Sequence, residues 1–353
     1  MEKDATTVNP SSFTVLVSTP SGLSPSQVHY TLNPHHSPQT PLANQHFLFL
    51  KISVDFSDAY DRILHSDVSL ENTISEIWEQ RSLKNNSLFN GKKFRYGGCL
   101  LDAGDVSNHE PRLCLHLGLT DYRCDLSAPL LNDFCGDKFK SFMGKVPGPI
   151  RRVKVTKFTQ LLSNTVQTCS FILDDSVLCQ HTSSPLGNGA VVETKDNKIL
   201  VLQRSNNVGE FPGHFVFPGG HPEPQEIDIT SHQYVKELAE SLNIKVSQEM
   251  FDSIVREVVE EIGVPASSLS IPTFIGISRR NLNVRPAAFF FIKCSLDSKE
   301  VQQFYSSAQD GYESTQLYAV PMVEVENMTS RMPGCHRGGF ALYKLMVDNR
   351  KIT

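Results

Sequence analysis

Three glutamates, Glu257, Glu260 and Glu261, lie close together in an otherwise apolar stretch. On a helix they share one arc, because residues three and four apart are neighbours on a helix surface. The apolar residues around them recur at helical spacing and predict a buried stripe: Met250, Phe251, Ile254, Val255, Val258, Val259 and Ile262. Carboxylates this close repel each other unless a cation lies among them, and a hard divalent ion such as Mg²⁺ prefers oxygen ligands. The alternative interpretation is a solvated acidic face of a helix.

A turn precedes this predicted helix, with the sequence Phe-Pro-Gly-Gly-His-Pro-Glu-Pro-Gln-Glu over residues 217–226. We call this segment the glycine bend. Its adjacent glycines, Gly219 and Gly220, let the backbone come close to a ligand, and Glu226 adds a fourth carboxylate. The spacing therefore predicts a site at which the bend and the acidic helix meet.

These two segments together resemble the Nudix hydrolases, whose box reads Gly-x5-Glu-x7-Arg-Glu-U-x-Glu-Glu-x-Gly-U, where U is an aliphatic residue. Gly220 to Glu226 matches the first half, and Arg256 to Val264 matches the second half at every fixed position. The departure lies between the halves, where residues 227–255 replace the seven of the family pattern. Lengthening a surface loop costs little free energy, so the halves are still expected to meet.

The resemblance implies an α/β fold, the Nudix α/β/α sandwich around a mixed sheet, and metal-dependent hydrolysis of a diphosphate bond. It implies Mg²⁺ as the cofactor, with Mn²⁺ as a possible substitute. The expected metal ligands are Glu257, Glu260, Glu261 and the carbonyl of Gly219. Either Glu257 or Glu260 is a candidate catalytic base, and Arg256 is expected to hold Glu257 through an ion pair.

The run Gly-Gly-His-Pro-Glu-Pro-Gln is similar to the subgroup of Nudix hydrolases that act on UDP-glucose and UDP-galactose. This likeness implies cleavage of a nucleoside diphosphate sugar to UMP and a sugar 1-phosphate. Segments around residues 87–96 and 113–123 resemble the N-terminal region of the same subgroup, which helps to bind uridine. The candidate substrate-binding residues are Phe89, Tyr122, Arg204, Ser205, His221 and Glu223.

Two alternatives stay open at this stage. The first keeps the reaction but changes the substrate to ADP-ribose, a dinucleotide or a CoA derivative. The second is a nucleotide-binding module without catalysis, in which the enlarged box does not close. The complete Arg-Glu-x-x-Glu-Glu set at residues 256–261 favours catalysis. A module that only binds nucleotides has little need to keep mutually repelling carboxylates so close together.

The whole chain has 353 residues, which favours two domains. We expect an α+β N-terminal region that contributes to nucleoside binding (1–126), an insert or linker (127–178) and a Nudix domain (179–353). The net charge of −5 argues against nucleic acid as a partner, and no apolar run is long enough to span a membrane. The eight cysteines form no Cys-x-x-Cys pair and the N-terminus lacks a signal pattern, so a cytoplasmic location is expected. The expected partner is the nucleoside diphosphate sugar, and the oligomeric state is left open.

Apolar runs predict the main strands of the C-terminal part at residues 189–193, 198–203, 271–277, 287–294 and 317–320. The long segment inside the box contains a predicted small helix at residues 234–242, and Ser247 is the expected N-cap of the glutamate helix. Gly263 supplies the expected stop of that helix, and residues 337–351 form the expected closing helix. Arg279 and Arg280 follow a strand, where they suit a charged diphosphate, with surface charge as the alternative.

Overall fold

The computed structural model describes residues 12–25, 51–84, 90–102, 112–121, 123, 171–174, 180–206, 208, 210–232, 236–281, 283–306 and 314–352. Phe89 and Tyr122, the candidates for the nucleoside pocket, lie outside these ranges. So does the expected linker, apart from one short strand. The N-terminal pocket and the division into three segments therefore stay predictions.

Both strands and helices are distributed along the described chain. The strands are β1 (Phe13–Pro25), β2 (Lys51–Phe56), β3 (Lys92–Asp102), β4 (Arg112–Asp121), β5 (Phe171–Asp174), β6 (Gly187–Glu193), β7 (Ile199–Arg204), β8 (Phe215–Val216), β9 (Thr273–Arg280), β10 (Arg285–Lys293) and β11 (Ser314–Val320). The α-helices are α1 (Val68–Lys84), α2 (Lys236–Ile262), α3 (Ser298–Tyr305), α4 (Met322–Met328) and α5 (Gly334–Ile352). Short 3₁₀ helices cover Asp58–Tyr60, Pro224–Ile227, Ala266–Ser268 and Thr329–Arg331. Among the described helices, none has the length and apolar composition needed to cross a bilayer.

One mixed sheet connects both parts of the described chain. Its strand order is β11-β7-β6-β10-β9-β1-β2-β4-β3-β5, and β8 pairs with β7. The pairs β6/β10, β1/β2 and β2/β4 are parallel, and the other pairs are antiparallel. The N-terminal strand β1 lies between β9 and β2, so the sheet continues across the predicted boundary at residue 179. The pairing between β1 and β2 is short and consists of the residue pairs Ser24/Lys51 and Pro25/Ile52.

Alternate residues of β10 supply two different cores, because side chains along a strand point to opposite faces of a sheet. Phe290 packs edge-on against Phe251 of α2, with ring centroids 5.2 Å apart. Phe291 contacts Tyr343 of α5 on the other face, at 5.8 Å. The long helices therefore cover opposite faces of the sheet, and the predicted α/β/α sandwich with a mixed sheet is confirmed.

The glutamate helix differs from its prediction at one end. Residues 236–262 form one continuous helix, so the predicted separate helix at 234–242 and the N-cap role of Ser247 are wrong. The segment Asn-Ile-Lys-Val-Ser at 243–247 contains no Gly or Pro to break the hydrogen-bond ladder. The other end agrees, because Gly263 has a φ of 84° and its N–H donates to Val259 at 2.8 Å. The predicted stripe is buried except at Val255 and Val259, which are half-buried.

Candidate active site

The glycine bend is held to the sheet and to α2 by one asparagine. Asn188 of β6 donates its backbone N–H to the Gly220 carbonyl at 2.9 Å, and its side-chain oxygen accepts the Gly220 N–H at 2.7 Å. Its side-chain nitrogen donates to Ser253 of α2 at 2.9 Å. Asn188 is buried and fixes the bend relative to the helix. Asn188 was not predicted, because nothing in the neighbouring sequence distinguishes an asparagine that forms hydrogen bonds with a distant turn.

Two of the three predicted glutamates reach the bend. Glu261 accepts the backbone N–H of Gly219 at 2.8 Å, and Glu257 accepts that of His221 at 3.3 Å. Glu261 is 9% exposed, whereas Glu257 and Glu260 are half-buried. The two halves of the box therefore meet across the long intervening segment.

At both glycines of the bend, an added Cβ would come too close to a neighbouring atom. A Cβ on Gly219 would lie 2.3 Å from the backbone oxygen of Asn188, and the φ of Gly219 is 156°. A Cβ on Gly220 would lie 1.9 Å from Oε1 of Glu257. Gly219 thus makes room for backbone, and Gly220 makes room for a carboxylate.

Arg256 contacts two carboxylates besides the expected Glu257. Its guanidinium donates to Glu249 at 2.8 Å and lies 3.9 Å from Glu226, and the charge of Glu257 also acts on it, so the expected role of Arg256 in holding Glu257 stays a prediction. Glu249 is 3% exposed and also accepts the Glu223 N–H at 3.0 Å. Burial raises the pKa of Glu249 above its ordinary value although Arg256 acts to lower it. Glu249 was missed, but its position seven residues before Arg256 places both on one helical face.

Four of the expected substrate-binding residues lie in the described part of the chain. Arg204 and His221 line a cavity beside the bend. Ser205 is buried. Glu223 makes an ion pair with Lys93 of β3, so the N-terminal region contacts the bend through this lysine.

The cavity beside the bend has a volume of about 190 Å³, and Gly219, Gly220 and His221 form one wall of it. Its charged and imidazole side chains are Arg204, Glu210, His221, Arg280, Arg285 and His336. Glu210, Arg285 and His336 were not predicted, because they come from a loop, a strand start and a helix start that carry no motif. The sequence predicted that Arg280 would lie near a charged diphosphate. In the structure Arg280 is buried and lines this cavity.

Both imidazoles at the cavity are neutral at physiological pH. Burial, followed by the charges of Lys93 and Arg285, lowers the pKa of His221 to about 3. Burial, followed by Arg204 and Arg280, lowers the pKa of His336 to about 3. Nδ1 of His336 accepts the Phe217 N–H at 3.2 Å, which places the proton of the neutral ring on Nε2. Among the described lining residues, the positive charges therefore come from guanidinium groups.

Comparison with known proteins identifies the family. The chain is 53% identical over its full length to Nudix hydrolase 9 of Arabidopsis thaliana, and the match covers 97% of that protein. The chain belongs to the Nudix hydrolase family. It is also 31% identical over 280 residues to human uridine diphosphate glucose pyrophosphatase NUDT22, covering 79% of this chain and 80% of that one. The resemblance read from the box is thus confirmed.

The other comparisons add less. No family model matches the chain. Among solved structures, a MutT protein from Methanosarcina mazei is 16% identical, covering 47% of this chain and 94% of that one with a TM-score of 0.29. A C. elegans Ap4A hydrolase is 14% identical, covering 47% and 98% with a TM-score of 0.30. TM-scores this low carry no argument, and membership of the family rests on the relatives in sequence.

Nudix hydrolases generally use a divalent ion, and the donors at the bend suit one in their chemistry. Glu257 and Glu261 offer carboxylate oxygens, which hard cations prefer. Within the described ranges, no three or more His, Cys, Asp or Glu side chains are grouped so that they could hold a metal. The same carboxylates accept the backbone N–H groups of Gly219 and His221, which hold them beside the bend. The residue types at the bend therefore fit the ion.

Proposed function

We propose that this Nudix hydrolase cleaves the diphosphate bond of a nucleoside diphosphate sugar, UDP-glucose or UDP-galactose, giving UMP and a sugar 1-phosphate with the help of Mg²⁺. The observation that carries the proposal is the meeting of Glu257 and Glu261 at a glycine bend that forms the wall of a guanidinium-lined cavity. The similarity to human uridine diphosphate glucose pyrophosphatase supports the choice of substrate.

The reaction needs a water molecule to attack phosphorus, and the bond from that phosphorus to the bridging oxygen breaks. Glu257, Glu260, Glu261 and the Gly219 carbonyl would hold Mg²⁺ (or Mn²⁺), which when bound would offset phosphate charge and make water more acidic. Glu257 or Glu260 would accept the proton of the attacking water. Both residues are half-buried, so solvent water can reach them.

The remaining residues of the site hold these groups and the substrate. Asn188 and the Arg256–Glu249 pair keep the bend against α2. Arg204 and the neutral His221 line the cavity, where they would contact the phosphates or the sugar. Preorganised donors of this kind stabilise negative charge that develops in the transition state.

A substrate panel tests the proposal. The full chain is assayed with UDP-glucose, UDP-galactose, ADP-ribose, a diadenosine polyphosphate and CoA, with Mg²⁺ or Mn²⁺, and the products are identified. We expect the highest kcat/KM for a UDP-sugar, release of UMP, and loss of turnover on addition of EDTA. A higher kcat/KM for another substrate would change the assignment, activity that survives EDTA would contradict the metal, and binding without turnover would indicate a non-catalytic module.

The Glu261→Gln variant tests the acidic residue that the bend contacts. Glutamine keeps an oxygen that can accept the Gly219 N–H, so the fold should persist while the charge is lost. We expect kcat to fall by about 100-fold or more, in the range of losses seen when a charged group that stabilises the transition state is removed. Glu326→Gln, which removes a surface charge paired with Lys344, is the matched control. Activity of Glu261→Gln within a few-fold of wild type would remove Glu261 from the site.

A further inference from the structure

Two arginines of the cavity share one carboxylate oxygen. Arg280 donates from Nη2 to Oε2 of Glu210 at 3.1 Å, and Arg285 donates from Nη1 to the same oxygen at 2.7 Å. The side chain of Arg280 is 4% exposed and that of Glu210 is 30% exposed. All three line the cavity whose other wall is the glycine bend. An acceptor that bridges two guanidinium groups therefore already lies in the proposed substrate cavity.

The surroundings fix the direction of the Arg280 guanidinium. Its Nε donates to the side chain of Asn283 at 2.7 Å, and its plane lies over the Phe211 ring with 4.6 Å from Cζ to the centroid. Stacking and a fixed hydrogen bond reduce the rotamer entropy that a ligand would otherwise have to remove. The group is thus organised for an acceptor before any ligand arrives.

Backbone strain occurs on both sides of this cluster. Phe211 has a φ of 50°, and Val284, between Asn283 and Arg285, has a φ of 54°. A positive φ is rare for aromatic and β-branched residues and is retained where surrounding contacts enforce it, often at ligand sites. The strain here holds the residues that carry and orient the two guanidinium groups.

Among the described residues, the lining of the cavity carries more guanidinium groups than carboxylates. Arg204, Arg280 and Arg285 each contribute a positive charge, and Glu210 contributes a negative one. A phosphate offers more acceptor oxygens and more negative charge than a carboxylate, and guanidinium groups bind both in the same planar geometry. A phosphate is therefore the ligand that would compete best with Glu210 for this position.

We propose that Arg280 and Arg285 form the subsite for one phosphate of the substrate, and that the Glu210 carboxylate occupies this subsite until the phosphate displaces it. That the bound phosphate belongs to a nucleoside diphosphate sugar rests on the function proposed above. That the two arginines bind an anion does not depend on that function. Glu210 is then a built-in competitor that sets the affinity for substrate.

The test measures binding of inorganic pyrophosphate to the full chain by calorimetry in the presence of EDTA. We expect Glu210→Gln to lower Kd by about fivefold or more, because the competing charge is gone while an oxygen remains to accept from the arginines. Arg285→Gln is expected to raise Kd by about tenfold or more. Glu326→Gln, on the surface beside Lys344, should leave Kd unchanged.

The sign of the change separates two roles for Glu210. An unchanged or higher Kd in Glu210→Gln would mean that Glu210 merely positions the arginines, and would overturn the proposal, as would an unchanged Kd in Arg285→Gln. Should Glu210→Gln not fold, Glu210→Asp replaces it. The shorter carboxylate cannot bridge both arginines, so Kd should still fall, and a Kd that is equal or higher overturns the proposal.

The binding assay also separates this inference from the proposed function. Hydrolysis of a UDP-sugar by a protein whose Kd for pyrophosphate does not respond to these variants would overturn the subsite alone. The expected Kd changes in a protein that hydrolyses no UDP-sugar would support the subsite and contradict the proposed function.

Discussion

At the scale of single residues, the two glycines of the bend leave space for different neighbouring groups. The space beside Gly219 is filled by backbone, and the space beside Gly220 is filled by the end of the Glu257 side chain. Backbone cannot move without disturbing the sheet, whereas the end of a glutamate can rotate away. The same one-carbon addition should therefore affect stability at one position and activity at the other.

The pair Gly219→Ala and Gly220→Ala tests this difference. We expect Gly219→Ala to lower the free energy of unfolding by about 1–3 kcal/mol, the cost of a strained backbone. Gly220→Ala should change stability little and reduce kcat/KM by about tenfold or more, because the Glu257 carboxylate is pushed from the bend. Thermal unfolding and steady-state kinetics of both variants provide the measurement. Equal activities in Gly220→Ala and wild type would contradict the assigned position of Glu257.

The Glu210 carboxylate gives a prediction about pH. Burial acts to raise its pKa, but Arg285 and Arg280 outweigh burial and hold the pKa below its ordinary value of 4.5. A lowered pKa in the folded state stabilises the fold above the unfolded pKa, and this contribution is lost as pH falls through the folded pKa. Wild type should be more stable than Glu210→Gln at pH 7, and the difference should shrink below about pH 4.5. Thermal unfolding at several pH values measures it, and a difference independent of pH would contradict the ion pairs.

At the scale of elements, the glutamate helix is longer than the family box requires. Its first part docks on the N-terminal region, where the Asn243 side chain accepts the Phe56 N–H at 2.8 Å. Its last part carries Glu257 and Glu261 to the bend. The long segment within the box thus extends the helix and gives it a second contact, so the insertion does not separate the two halves.

The Ser247→Ala variant tests whether this helix is continuous. At an N-cap the substitution would cost about 1 kcal/mol, because a backbone N–H would lose its acceptor. In the middle of a helix alanine is at least as favourable as serine, so the free energy of unfolding should change by less than about 0.5 kcal/mol. Chemical denaturation measures the difference. A loss of about 1 kcal/mol or more would restore the interpretation of two separate helices.

At the scale of the whole molecule, the N-terminal strands complete the core of the Nudix part. Leu23 and Ile52, which are 1% and 0% exposed, belong to the same apolar cluster as Val258 and Ile262 of α2. Strand β1 also covers the edge of β9. The N-terminal region therefore stabilises the helix that carries the glutamates, in addition to the contact of Lys93 with the bend.

A chain that begins at residue 180 tests this dependence. It lacks β1 to β5, so the edge of β9 and the apolar surface of α2 become exposed. Each aliphatic side chain that is no longer buried lowers the free energy of unfolding by about 1.5–3 kcal/mol. We expect aggregation or loss of the cooperative unfolding transition, measured by size-exclusion chromatography and calorimetry. A monomer that unfolds cooperatively at the wild-type Tm would show that the C-terminal part folds alone.

Features that depend on local spacing could be predicted from the amino-acid sequence alone. The buried stripe of α2, the stop at Gly263 and the strands of the C-terminal part follow from periodicity and backbone preference, which act over a few residues. The two halves of the box were recognisable for the same reason, because their spacing within each half is intact.

Contacts between distant segments could be found only in the folded molecule. Arg256 pairs with Glu249, Asn188 anchors the bend, and Glu210 contacts Arg280 and Arg285 at the cavity. The insertion of β1 between β9 and β2 likewise joins segments that lie far apart in the chain. Such contacts depend on how the strands are ordered in the sheet, and side-chain spacing along one segment carries no information about that order.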